Sequence, residues 1–219
     1  MATEPTNFFA AGGIVAYPLL VFSILTVALS VERLIFWFKV YSTQPKVIRR
    51  VLIDYQENPG QVMKTLTSHR DLPVCRIFTR ALGFSYNHEH LSPSQMHTIL
   101  ESAAQAELPV LRRFSTVFTT VIAVSPLLGL LGTVLGLMRA FGSLSLGNFD
   151  GTQVAGVTGG VSEALVSTVM GLVVAIVALL FANLFRSFYR RQLAFIQESL
   201  GQLEVLYSES LTPGELHHV

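Results

Sequence analysis

Charge is scarce in this chain. Only 13% of its 219 residues are Asp, Glu, Lys or Arg, while 51% are hydrophobic. Soluble domains carry about 25% charged residues, so the deficit excludes an ordinary soluble domain and points to an integral membrane protein. Cysteine is nearly absent as well: the sequence holds Cys75 alone, which rules out an intramolecular disulfide framework. With no ordered Cys/His pair, Cys75 reads as a small, partly buried residue. Residues 1–13 lack Lys and Arg, where a cleaved secretory signal would carry a basic n-region, so the first apolar stretch is expected to stay in the mature protein. The apolar stretches contain no histidine, no cysteine and no aspartate pair, which argues against an intramembrane enzyme. No cofactor, metal or nucleic-acid partner is expected, and the formal net charge of +1 says less than where the basic residues fall.

What is present is three long apolar runs. Residues 114–138 and 164–185 carry no charge at all, and about 20 such residues cross a bilayer as a helix. We place spans at 14–38, 114–141 and 161–185. The first opens on Gly12-Gly13-Ile14-Val15-Ala16-Tyr17-Pro18, with Pro18 near a helix start and Tyr17 as an interfacial anchor, and closes on Phe36-Trp37-Phe38-Lys39. Glu32 and Arg33 interrupt it, either neutralising each other and snorkelling or leaving Glu32 for a partner. Ten of the fifteen Lys and Arg residues lie within 39–113, and none within 142–162. The positive-inside rule therefore puts 39–113 and 186–219 in the cytoplasm, and 1–13 and 142–160 outside. The predicted fold is an all-α membrane protein of three transmembrane helices with long cytoplasmic helical extensions.

In the cytoplasmic part, 44–56 and 72–84 read as short helices, with Asn58-Pro59-Gly60 as a stop. Ser92-Pro93-Ser94-Gln95 is a helix start with capping-box residues, and that helix is expected to run into the second span with a kink at Pro109. His88, Glu89, His90 and His97 straddle a loop and a helix start without completing a metal set, and read as solvated surface residues. Beyond Arg186, Arg190 and Arg191, the spacing of Tyr189, Leu193, Ile196, Leu200, Leu203 and Tyr207 continues the third helix to about residue 208. Residues 212–219 read as a frayed tail.

Small residues mark one face of each of the last two spans. Ser125, Gly129, Gly132 and Gly136 recur at helical spacing, as do Ala164, Thr168, Gly171, Ala175, Ala178 and Ala182. Such faces let helices approach closely where lipid gives no hydrophobic incentive, so the glycines read as packing positions. Thr133 either bonds back to its own helix or faces a polar pathway. Counting residues inward at 1.5 Å each puts Thr133 and Thr168 at one level, about 12 Å deep. Glu163 lies near the start of the third span, displaced around the helix from that stripe. A carboxylate within a span costs on the order of 3 kcal/mol, so such acids usually face a cavity, an ion path or a polar partner. The alternative is a hydrated acid capping a helix start.

Three motifs carry a resemblance: Gly13-Ile14-Val15-Ala16-Tyr17-Pro18-Leu19-Leu20 with Glu32-Arg33; Pro126-Leu127-Leu128-Gly129-Leu130-Leu131-Gly132-Thr133-Val134-Leu135-Gly136; and Ser162-Glu163-Ala164-Leu165-Val166-Ser167-Thr168-Val169-Met170-Gly171-Leu172. With the order of spans and the large segment after the first, they resemble the MotA/TolQ/ExbB proton channel family. MotA-type stators carry a further span, so the chain is more similar to ExbB, and next to TolQ. The resemblance implies a homopentamer in a bacterial inner membrane, its second and third spans lining a central pore. That pore would hold two copies of an ExbD-like single-span partner, whose aspartate takes and releases the proton. It further implies that Thr133 and Thr168 line the proton pathway, that Glu163 lies near it at a subunit or partner contact, and that Gly129, Gly132, Gly136, Ala164, Gly171 and Ala175 pack helices in the pore. Proton flow would pass work to a TonB-like protein serving outer-membrane transport. A TolQ-like role in envelope integrity and a non-conducting membrane scaffold are the alternatives.

Overall fold

In a bilayer core no water satisfies the peptide groups, so an apolar run must bond its own backbone as a helix. The computed structural model describes residues 12–87, 91–143 and 151–211. Among these, a 3-10 turn (Gly13–Val15) leads into α1 (Ala16–Glu57), followed by α2 (Pro59–Ser68), α3 (Pro73–Asn87), α4 (Pro93–Leu111), α5 (Ser115–Gly142) and α6 (Gly151–Leu211). Three stretches are long and apolar enough to cross a membrane, within Gly13–Glu57, Pro93–Gly142 and Val154–Leu211. His88, Glu89, His90, the tail at 212–219, most of 1–13 and residues 144–150 of the expected outer loop lie outside the described residues.

Several boundaries differ from expectation. The helix anticipated at 44–56 is the continuation of α1, which carries Pro45 in its interior and meets its first strong stop at Asn58-Pro59-Gly60. That stop is also a start, because Pro59 occupies the first turn of α2, where its missing N–H costs nothing. The helix expected at 72–84 is α3, offset to Pro73–Asn87. The capping box at Ser92 forms as predicted: its Oγ accepts from the Gln95 N–H and the Gln95 side chain accepts from the Ser92 N–H. Pro109 does not kink a continuous helix. It removes one helical N–H, α4 closes at Leu111, and the chain turns through Phe114 at φ 66° before α5 begins. Residues 151–160, expected in the outer loop, are already the first turns of α6.

The chain divides into two compact units, Met1–Glu32 with Phe114–Phe185 and Arg33–Arg113 with Arg186–Val219. The division follows charge. Arg139 is the one Lys or Arg in the sequence of the first unit.

In the first unit the start of α1 packs on α5 and α6 through Val15, Ala16, Leu19 and Met170, with Leu128, Leu135 and Val166 against them. A second cluster holds Phe118, Val121 and Ala178 beneath Phe22, Leu29, Phe181 and Phe185. Leu127, Leu130, Val134, Leu165, Val169, Ile176 and Leu180 point outward, an apolar surface suited to lipid or to other helices and foreign to a soluble monomer.

The second unit carries most of the charge and buries an apolar interior of its own. Trp37, Val51, Leu66, Ile77, Phe78, Met96, Leu100, Ile196 and Leu203 form its interior. The acid buried in this core is paired, whereas Trp37 Nε1 and Gln192 Nε2 have no hydrogen-bond partner among the described residues. The Glu107 carboxylate, 2% exposed, takes Arg76 at 2.6 Å and Arg80 at 3.2 Å, as a buried charge requires. Gln44 Oε1 accepts from the Val74 N–H at 3.3 Å, occupying one orphan donor at the start of α3. Cys75 is buried and its thiol pKa is pushed up to about 12 by desolvation, so it is no nucleophile at neutral pH.

Candidate functional site

The predicted site residues meet along the seam between α5 and α6 in the first unit. The seam is built by omission of side chains. A Cβ placed on Gly171 would lie 2.5 Å from the Ser125 carbonyl oxygen, and one on Gly160 2.5 Å from that of Gly136. On Gly136 it would come within 2.7 Å of the Gly160 carbonyl oxygen and 2.8 Å of the Ala164 nitrogen. Gly129 faces the Ser167 carbonyl oxygen and the Thr168 Cα, and Gly132 faces the Ser167 side chain. The two backbones are thus in direct contact over several turns, an approach that only glycine and very small residues permit. Ala164 and Ala175 are buried with them. Gly160, the last residue of the loop predicted at 142–160, belongs to this seam as well.

This register fixes where the hydroxyls sit. Thr168 lies opposite Gly129, donating to the Ala164 carbonyl at 3.2 Å with the Gly129 carbonyl at 3.4 Å. Ser167, fully buried, does likewise at 2.9 and 3.4 Å. Thr133 lies one turn from Gly129, roughly 6 Å along the helix, and bonds back to the Leu130 carbonyl at 2.6 Å. The two threonines are therefore not level, as counting inward from assumed membrane edges suggested. That count took α6 to begin near residue 160, whereas glycine contacts set the actual pairing. Ser125 is fully buried, and its hydroxyl has no hydrogen-bond partner among the described residues.

Glu163 is not at a helix start. It lies about three turns into α6, its side chain 14% exposed. Both of its carboxylate oxygens lie 2.6 Å from Nη1 of Arg139 near the end of α5. Gly13, at φ +65°, packs its Cα directly on the same carboxylate, leaving no room for a Cβ. Arg139 stands in no motif; its signal in the sequence is that a single cation precedes the connection at 142–160 and Glu163 follows it. Among the described residues, no cluster of three or more His, Cys, Asp or Glu could hold a metal ion.

Three candidate spans, a backbone-close helix pair and polar side chains lining it define a multi-pass helical membrane protein. Comparison with known proteins makes this particular. Residues 69–198 match the model of the MotA/TolQ/ExbB proton channel family. A Synechocystis sp. protein named as biopolymer transport protein ExbB-like 3 is 56% identical over 197 residues, covering 90% of this chain and 92% of its own. ExbB-like 1 of the same organism is 34% identical over 205 residues, covering 92% and 78%, and an ExbB homolog of Methanothermobacter thermautotrophicus is 25% identical over 166 residues, covering 75% and 56%. The chain belongs to the MotA/TolQ/ExbB proton channel family, and is a channel-type membrane protein and not an enzyme.

Proposed function

We propose that this chain is the channel subunit of an ExbB-ExbD-like motor that uses the proton motive force to energise TonB-dependent transport. In this reading it forms a homopentamer, with α5 and the membrane part of α6 around two single-span partner helices, each bringing the aspartate that carries the proton. The N-terminus lies outside the inner membrane and the C-terminus in the cytoplasm, on the strength of the basic residues in 39–113. The observation that carries the proposal is the half-buried Thr168 hydroxyl beside Gly129 on a seam of small residues, in a chain of a proton channel family. A hydroxyl there can solvate a partner carboxylate as it gains and loses its proton, with Thr133 one turn away as a second such group; Glu163 lies near that path, at a subunit or partner contact. ExbB is favoured over TolQ because the matching relatives bear ExbB-like names.

The test is proton uptake by proteoliposomes holding the chain with its native single-span partner. Thr168→Ala should lower the rate at least about tenfold, the scale on which one positioned polar group acts, while Thr168→Ser retains most of it. Equal rates for the wild type and Thr168→Ala, with assembly intact, would remove Thr168 from the pathway; no uptake by any form would favour the scaffold alternative.

A further inference from the structure

The first unit contains a single Lys or Arg, Arg139, and it ends on Glu163. A charge within a span is costly unless it meets a polar partner, and Arg139 and Glu163 supply that partner to each other. The carboxylate is enclosed from two sides. Nη1 of Arg139 stands 2.6 Å from both oxygens, and the Gly13 backbone covers Oε1 so closely that any side chain there would collide with it. Gly13 adopts φ +65°, a conformation glycine enters without cost, and it begins the turn that delivers Val15, Ala16 and Leu19 to Met170, Leu128 and Leu135. Val15 in turn rests 3.6 Å from the position a Cβ would take on Gly132. The ion pair, the glycine and the apolar cluster therefore join three separate helices at one end of the unit.

We infer that Arg139, Glu163 and Gly13 form a clasp that docks the first turn of the first span onto the α5–α6 pair. Arg139 and Gly13 are positioning residues, and Glu163 holds the clasp without itself passing a proton. A relaying acid must exchange its hydrogen-bond partner in each cycle; this carboxylate is closed by a guanidinium on one side and by backbone on the other. The inference rests on the channel reading only for its transport readout.

The experiment uses the full chain with its partner. Glu163→Gln and Arg139→Gln each strand one member of the pair and should lower transport about tenfold. The double variant Arg139→Gln/Glu163→Gln, with no charge left to strand, should return to within about threefold of wild type, the non-additivity expected of directly coupled residues. A double variant that assembles and stays as low as Glu163→Gln would overturn the inference, because the acid itself would then be needed. A second measurement is independent of transport. In a Cys75→Ser background, Val15→Cys in the purified protein should react slowly with a maleimide, and about tenfold faster once Arg139→Gln or Gly13→Ala is added, since opening of a local contact governs access. Unchanged labelling in both would refute the clasp whatever the transport assay gives, whereas altered labelling with no transport by the wild type would refute the channel reading and leave the clasp standing.

Discussion

The residues that stand out in the sequence as chemistry are held by ordinary contacts that change their meaning. Glu163 reads as an isolated intramembrane acid, yet it is half of an ion pair. Thr133 and Thr168 read as a matched pair, yet each bonds a main-chain carbonyl, and Thr168 shares the Gly129 carbonyl with Ser167. In the second unit His97 is an exposed residue that does have a partner, with Nδ1 3.0 Å from the Glu204 carboxylate. The hydrogen bond and the charge of Glu204 raise its pKa above the ordinary 6.5, with Glu101 adding a smaller pull. A raised histidine pKa stabilises the fold fully below pH 6.5 and stops doing so as pH rises through the folded-state value. A histidine-resolved NMR titration should give a midpoint above 6.5 for the native chain, and Glu204→Gln should move it back toward that value. A midpoint indifferent to Glu204→Gln would mean that the pair does not form.

For the helices, the sequence pattern gave the faces and the structure supplied the partners. The small-residue stripes of the last two spans were legible because their period is helical, but a stripe does not say what it faces. The α5 stripe faces the α6 stripe, within one chain. The glycines consequently differ in how far they tolerate a methyl group. Gly136, Gly160 and Gly171 would place a Cβ between 2.5 and 2.8 Å from opposing backbone, whereas Gly129 would meet its neighbours at 3.1–3.4 Å. Alanine at the first three should therefore lower the melting temperature of the detergent-solubilised protein more than alanine at Gly129. Gly83 and Gly201, inside helices with nothing within 4 Å, should instead gain roughly 0.5–1 kcal/mol on replacement by alanine, through the reduced entropy of the unfolded chain. If Gly171→Ala proves as benign as Gly201→Ala, the seam is not as close as described. Pro109 predicts a kink in one continuous helix; the break that the chain makes instead between α4 and α5, turning through Phe114 at positive φ, has no such local signal.

At the scale of the whole molecule, the apolar outward surface of the first unit calls for lipid and other helices, which is consistent with assembly. On the proposed function, native mass spectrometry of the complex purified with its neighbours should give five copies of this chain with two of a single-span partner bearing an intramembrane aspartate. A chain recovered without any such companion would count against the motor. The sequence by itself determined the class: long uncharged runs admit only helices in a bilayer, scarce charge excludes a soluble domain, and the second and third motifs identify the family. Those are properties of composition and of short-range order, which need no knowledge of distant contacts. The tertiary structure alone decided that Gly13 meets Glu163, that Arg139 closes on the same carboxylate, and that Thr168 stands across from Gly129 and not from Thr133. Each of these joins segments far apart in the chain, and their register is set by backbone-to-backbone contact between glycines, which a helical period cannot encode because it fixes a face and leaves the axial offset between two helices free.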